Sequence, residues 1–146
     1  MGTKNIFLGS DHGGFELKEA LKQALSSRDD VCIEDLGTHS SESVDYPDIA
    51  DAVAHAVLEK EGALGILCCG TGVGISMRAN RFKGIRAALV HSVETAQLAK
   101  QHNNANILCL GGRTTTIDDA GKYVEAWLNS AFEGDRHERR IQKLDF

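Results

Sequence analysis

Proline is almost missing from this chain, one residue in 146, and no proline-rich or low-complexity tract interrupts it. A disordered or fibrous protein is therefore excluded by composition. No apolar run approaches the roughly 18 residues that a spanning helix needs. The first residues, Met1 to Asn5, carry neither the charged start nor the long apolar stretch of a signal peptide, so the cytoplasm is the expected location. No basic run is present and the net charge is -5, which argues against nucleic acid and against anionic membrane surfaces as partners. Four cysteines, Cys32, Cys68, Cys69 and Cys109, form no C-x-x-C pair and no Cys/His grouping with zinc-finger spacing. Neither structural disulfides nor structural zinc is expected. Free cysteine is ordinarily a small buried hydrophobe, and that reading is kept for Cys32, Cys68 and Cys109.

What is present suits a single domain over residues 1–146: 42% hydrophobic and 25% charged residues, in a chain long enough to bury one sizeable core. Short apolar runs alternate with helical patterns. The runs Asn5 to Gly9, Val31 to Asp35, Ala63 to Cys69, Ile85 to Val90 and Asn106 to Leu110 read as strands buried on both faces. Between and after them lie helical spacings: Leu17, Leu21 and Leu25; Ile49, Val53, Ala56 and Val57; Ala120, Val124, Trp127, Leu128 and Ala131. Pro47 suits a first helical turn and Ser92 an N-cap. The polar segment from Glu133 to Phe146, with Ile141 and Leu144 on one side, reads as a last helix docking on a neighbouring subunit. The pattern predicts an α/β fold: a three-layer α/β/α Rossmann-like sandwich with a five-stranded parallel sheet and a C-terminal helix.

In such folds ligands bind beyond the carboxyl ends of the strands. That rule selects Asp11 to Gly14, the turn from Gly37 to Tyr46, Cys69 to Gly74, His91, and Gly111 to Arg113. The run Cys69-Gly70-Thr71-Gly72-Val73-Gly74 lets backbone amides approach an anion without interference from side chains. It is neither a dinucleotide fingerprint, because Ile75 stands where the last glycine belongs, nor a Walker A loop, which needs Lys and Ser/Thr. Cys69, at a strand end facing a helix N-terminus, sits where a thiol is most readily ionised. Cys68 should point to the other side of the sheet, so that one of the pair is core and one exposed. His102 ends a helix, ordinarily a capping position. Arg136 and Arg140, four apart, share a helix face and could grip a dianion together, though single arginines are ordinarily solvated charges.

With these residues in hand the chain resembles the type B ribose-5-phosphate isomerases, of the ribose/galactose isomerase family, cysteine subgroup. The carriers are Gly9-Ser10-Asp11-His12-Gly13-Gly14-Phe15, Asp45-Tyr46-Pro47, Cys69 to Ile75, Gln101-His102-Asn103-Asn104-Ala105-Asn106, and Arg136-His137-Glu138-Arg139-Arg140, in that order along essentially the whole chain. A second subgroup places glutamate at the position of Ile75 and lacks the cysteine.

The resemblance implies an aldose–ketose isomerase converting ribose 5-phosphate to ribulose 5-phosphate, a pentose phosphate step, with no cofactor and no metal. It also implies a homodimer or homotetramer with active sites at a subunit interface. Carried over by position, Cys69 would be the base, Thr71 would support it or a substrate hydroxyl, and the backbone of Gly70, Thr71, Gly72, Val73 and Gly74 would hold the enediolate oxygen. His102 would open the sugar ring. Asn103 and Asp11 would bind sugar hydroxyls, His12, Arg113, Arg136 and Arg140 the phosphate, with Tyr46 at the rim. His91 and His137 are read as structural or supporting. The alternatives are an isomerase of a six-carbon phosphate, allose or galactose 6-phosphate, and a non-catalytic sugar-phosphate-binding module.

Overall fold

A computed structural model describes residues 3–145; Met1, Gly2 and Phe146, which belong to the terminal segments discussed above, lie outside the described residues. Strands β1 (Lys4–Ser10), β2 (Val31–Asp35), β3 (Leu64–Cys69), β4 (Ala87–Leu89) and β5 (Ile107–Gly111) form one parallel sheet in the order β2-β1-β3-β5-β4. Helices α1 (Phe15–Leu25), α2 (Tyr46–Glu59), α3 (Val73–Ala79), α4 (Val93–Gln101), α5 (Ile117–Leu128) and α6 (Arg136–Gln142) complete it. The three-layer reading holds. Leu17, Leu21 and Leu25 of α1, Ala96 and Ala99 of α4, and Val124 and Trp127 of α5 cover one face. Val53 and Val57 of α2 with Ile75 and Ala79 of α3 cover the other.

Cys68 belongs to the first of these cores and Cys69 to the second, as strand alternation requires. Trp127 is fully buried, and its indole N–H is not left unpaired: it donates to the carbonyl of Ala105 at 3.1 Å. Pro47 sits in the first turn of α2, and the hydroxyl of Ser92 accepts from the N–H of Thr95.

Four expectations need correction. Strand β2 is an edge strand pairing with β1 alone, and its outer side chains Cys32 and Glu34 are exposed, so Cys32 is not a core residue. The run Ile85 to Val90 yields only a three-residue strand, pairing with β5 through Ala87, Ala88 and Leu89, and the free edge of Ala87 is closed by the Asn80 amide, which donates to its carbonyl at 2.9 Å and accepts from its N–H at 2.8 Å. The last helix starts at Arg136, not Glu133: Gly134 and Asp135 hold positive φ, 70° and 55°, and the N–H of Glu133 donates to the carbonyl of Gln101. Ile141 is buried within the chain, and among the described residues of that segment Leu144 is the large apolar one left exposed. Helix α5 likewise stops at Leu128, so Ala131 lies outside it and is exposed.

Candidate active site

At the carboxyl edge of the sheet, β1 runs into Asp11, whose Oδ1 accepts from the N–H groups of Gly13 (2.9 Å) and Gly14 (3.2 Å) and so caps a single 3-10 turn. Both bonds fall on one oxygen, which leaves Oδ2 available as an acceptor. His12 Nδ1 accepts from the N–H of Val44 at 3.3 Å. An accepting Nδ1 places the proton of the neutral ring on Nε2, turning that nitrogen into a donor.

Beside this turn, β3 delivers Cys69. The chain reverses at Gly72, with φ of 78°, a conformation that L side chains rarely adopt, and the N–H of Gly72 donates to Cys69 Sγ at 3.0 Å. A donor therefore stands where negative charge on sulfur would need one. The N–H of Val73 is taken by the Thr71 hydroxyl oxygen at 3.2 Å. Arg113 lies on Gly70: its N–H donates to the Gly70 carbonyl at 2.8 Å, and a Cβ at position 70 would come within 3.2 Å of its Nη1. Tyr46 lies on Gly74, where a Cβ would meet its ring at 2.6 Å. Asp11, His12, Tyr46, Gly70 to Gly74 and Arg113 thus share one edge with Cys69.

The cysteines differ in environment. Burial pushes the thiols of Cys68 and Cys109 far above their usual range, which fixes both as neutral core groups. Cys69 was expected to be exposed and is 5% exposed in the single chain, since it sits beneath the Gly72 amide and against the α2–α3 core.

Two residues that the sequence reading passed over brace this edge. Lys18 is completely buried, with its ammonium on both oxygens of Asp35 (2.8 and 2.6 Å) and on the carbonyl of Thr38 (2.7 Å). Asp35 also accepts from the N–H of Gly37, and Gly37 and Thr38 bond back to Ser10, next to Asp11. Burial alone would raise the Asp35 carboxyl; hydrogen bonds from Lys18 and Lys22 overcome that and hold it below its usual value. The signal was a lysine adjoining the Leu17, Leu21, Leu25 stripe of α1.

His102, Asn103, Arg136 and Arg140 do not join this group within one chain. His102 caps the C-terminus of α4, at the amino edge of the sheet. In register, Ile107 at the start of β5 faces Gly65, and Cys69 lies four residues further on, so strand rise alone separates the two edges by about 13 Å. Crossover helices run back against their strands, which is why sequence neighbours of a strand's start end up opposite its tip. At the amino edge, the His102 ring stacks on His137 with centroids 4.2 Å apart, and Nε2 of each ring lies near Glu133 Oε1, at 3.7 and 3.6 Å. Burial, the neighbouring His102 and Arg136 lower the His137 imidazole below its usual value. Asn103, Arg136 and Arg140 are exposed there. His91 is exposed, and its carbonyl accepts from the hydroxyl of Tyr123. Glu133 is the third residue that the sequence reading missed; its signal was its spacing of four from His137.

A family model described as ribose/galactose isomerase matches residues 6–144. The chain belongs to that family. The ribose-5-phosphate isomerase B of Escherichia coli is 46% identical over 141 residues, spanning 97% of this chain and 94% of that one. Among solved structures, a ribose 5-phosphate isomerase from Thermotoga maritima shares 50% identity with a TM-score of 0.94, covering 97% of each chain. The Mycoplasma genitalium ribose-5-phosphate isomerase B, solved with bound ribulose 5-phosphate, shares 45% identity with a TM-score of 0.93 over 99% of this chain and 95% of that one. No helix among the described residues is long and apolar enough to cross a membrane.

Proposed function

We propose that the protein is an aldose–ketose isomerase that interconverts ribose 5-phosphate and ribulose 5-phosphate in the cytoplasm, and that its active sites form between two copies of the chain. The observation that carries the reading is the pairing of Cys69 Sγ with the Gly72 amide inside a glycine loop, in a chain about half identical to ribose 5-phosphate isomerases.

The chemistry follows from the loop. Cys69, as thiolate, removes the proton from C2 of the open-chain aldose and returns it to C1, while the proton of the C2 hydroxyl passes to the C1 oxygen so that C2 becomes the carbonyl. Between these transfers negative charge sits on the oxygen at C1, where the donors are the backbone N–H groups of the Gly70–Gly74 loop other than those of Gly72 and Val73, which are held by Cys69 Sγ and the Thr71 hydroxyl. Thr71 supports the sulfur or a substrate hydroxyl. Asp11, through Oδ2, takes sugar hydroxyls, while His12 and Arg113 hold the phosphate and Tyr46 walls the rim. No step in this scheme calls for a cofactor.

Ring opening needs a second proton carrier, and His102 supplies it by exchanging protons with the ring and anomeric oxygens, with Asn103 on the sugar and Arg136 and Arg140 on the phosphate. These four stand at the opposite edge of the same chain, so the complete set requires a second copy that presents its amino edge to the first copy's carboxyl edge. A two-fold axis makes both composite sites at once. Exposed apolar side chains at the rim, Tyr46, Val73 and Met77, support a covered surface there.

The test is a coupled assay on purified protein without added metal or nucleotide, with ribose 5-phosphate, allose 6-phosphate and galactose 6-phosphate in parallel. Rapid turnover of the five-carbon substrate is expected. Turnover of a six-carbon substrate alone would reassign the activity, and silence on all three would return the protein to a binding role.

A further inference from the structure

The side chains at the amino edge leave one cluster that ring opening does not use in full. One ring nitrogen each of His102 and His137 and a carboxylate oxygen of Glu133 lie within 4.8 Å of one another, and Nε2 of both rings faces Glu133 Oε1. The two nitrogen-to-oxygen separations, 3.7 and 3.6 Å, are too long for hydrogen bonds. His137 is 6% exposed, and its Nε2, buried and turned toward this cluster, has no hydrogen-bond partner. A buried imidazole nitrogen left unpaired carries a real penalty, so an atom that satisfies it is favoured there.

We propose that His102, Glu133 and His137 bind one divalent transition-metal ion, with Zn2+ the best chemical match, and that its binding withdraws the His102 imidazole and so inhibits the enzyme. Two imidazoles and a carboxylate are an ordinary ligand set for zinc, with a fourth position left for water. Ligand atoms about 2.1 Å from a tetrahedral ion stand about 3.4 Å from one another, a few tenths of an ångström closer than the separations to Glu133. The two rings are nearly parallel, 12° apart, so their lone pairs do not yet converge. One ring has to turn. His102 and Glu133 have room to do so, with side chains 38% and 50% exposed, while buried His137 serves as the fixed ligand. The N–H of Glu133, bonded to the carbonyl of Gln101, keeps the carboxylate beside the end of α4 whichever way its side chain points. The binding claim stands on this geometry alone; the inhibition rests on the role proposed for His102.

The experiment titrates metal-stripped full-length protein with Zn2+ by calorimetry, and with Co2+ as a probe whose visible absorption reports tetrahedral coordination. One ion per chain is expected. Glu133→Gln and His137→Gln should each weaken binding at least ~10-fold, since losing even a supporting residue of a metal site costs that much. Cys69→Ser should leave it unchanged. Glu133 is a surface residue, so Glu133→Gln keeps the test valid even if His137→Gln fails to fold. Inhibition by Zn2+, measured against each variant's own metal-free rate, should shift with the binding curve. An absence of stoichiometric binding would overturn the site, as would binding that Cys69→Ser abolishes and Glu133→Gln leaves intact. Binding at the cluster without inhibition would overturn the second half only, and an enzyme silent on every sugar would still have its metal site decided by the titration.

Discussion

The two edges of this sheet are built on opposite principles. At the carboxyl edge the chemistry-bearing groups are buried or locked: Cys69 under the Gly72 amide, Asp11 fixed by one oxygen as a cap, Asp35 clamped by a fully buried lysine. At the amino edge His102, Asn103, Arg136 and Arg140 lie toward the surface on a short helix and a helix end, with the His102 ring stacked on the buried His137. The difference teaches which half sets geometry. Charge that develops in a transition state needs donors already in place, which only a packed backbone supplies. Proton delivery and phosphate capture tolerate longer, more mobile side chains, and such side chains can be lent by one copy to another.

The largest break in that comparison comes from the carboxyl edge. Cys69→Ala should lower kcat by about 10³ to 10⁴, the upper range for a proton-transfer group, while KM for the phosphate ester changes little. Steady-state kinetics on ribose 5-phosphate decide it; equal losses in binding and rate would remove Cys69 from the chemical step.

Next is the brace. Asp35→Asn strips the carboxylate from buried Lys18 and should cost about 3 kcal/mol, at the low end for a broken buried pair because Glu19 stays within 3.2 Å of the ammonium. Glu133→Gln, on the exposed edge, should cost less than about 0.5 kcal/mol. Denaturant unfolding of both variants reads the contrast. The pH dependence has a definite sign. Asp35 titrates lower in the folded chain than in the unfolded one, so its contribution is complete above the unfolded value of about 4 and is lost as pH falls through the lower folded value. Wild type should therefore lose more stability than Asp35→Asn between about pH 5 and pH 2.

Much of the carboxyl edge was legible in the sequence because its residues are punctuated locally: glycines, an aspartate and a cysteine at strand ends name their own place by the rule for parallel sheets. The strands themselves were legible from short apolar runs, except where an edge position decided exposure, as at Cys32 and Glu34, since an edge is set by strand order and not by any one strand's residues. The amino edge was legible as motifs but not as geometry. That His102 and Cys69 stand at opposite ends of one chain follows only from the direction in which α4 returns. Glu133 and Lys18 escaped because their signals, a spacing of four from His137 and a place beside the apolar stripe of α1, are weak until their neighbours in space are known.

His102→Ala should lower turnover of the cyclic sugar about 10²-fold and that of an open-chain analogue much less, because only the cyclic form needs its ring opened. Similar losses on both would take ring opening away from it.

The smallest effect is the sharpest test of how the two edges combine. Cys69→Ala and His102→Ala are each expected to be nearly inactive alone. If every site takes Cys69 from one copy and His102 from the other, a mixed dimer of the two variants carries both lesions in one site and none in its second. Random exchange puts half of the chains into mixed dimers, so unfolding and refolding an equal mixture should restore about a quarter of the wild-type rate. If both residues served a site within one chain, every site in the mixture would keep one lesion and nothing would return. Recovery therefore reports the composite site directly, and its size counts the intact sites.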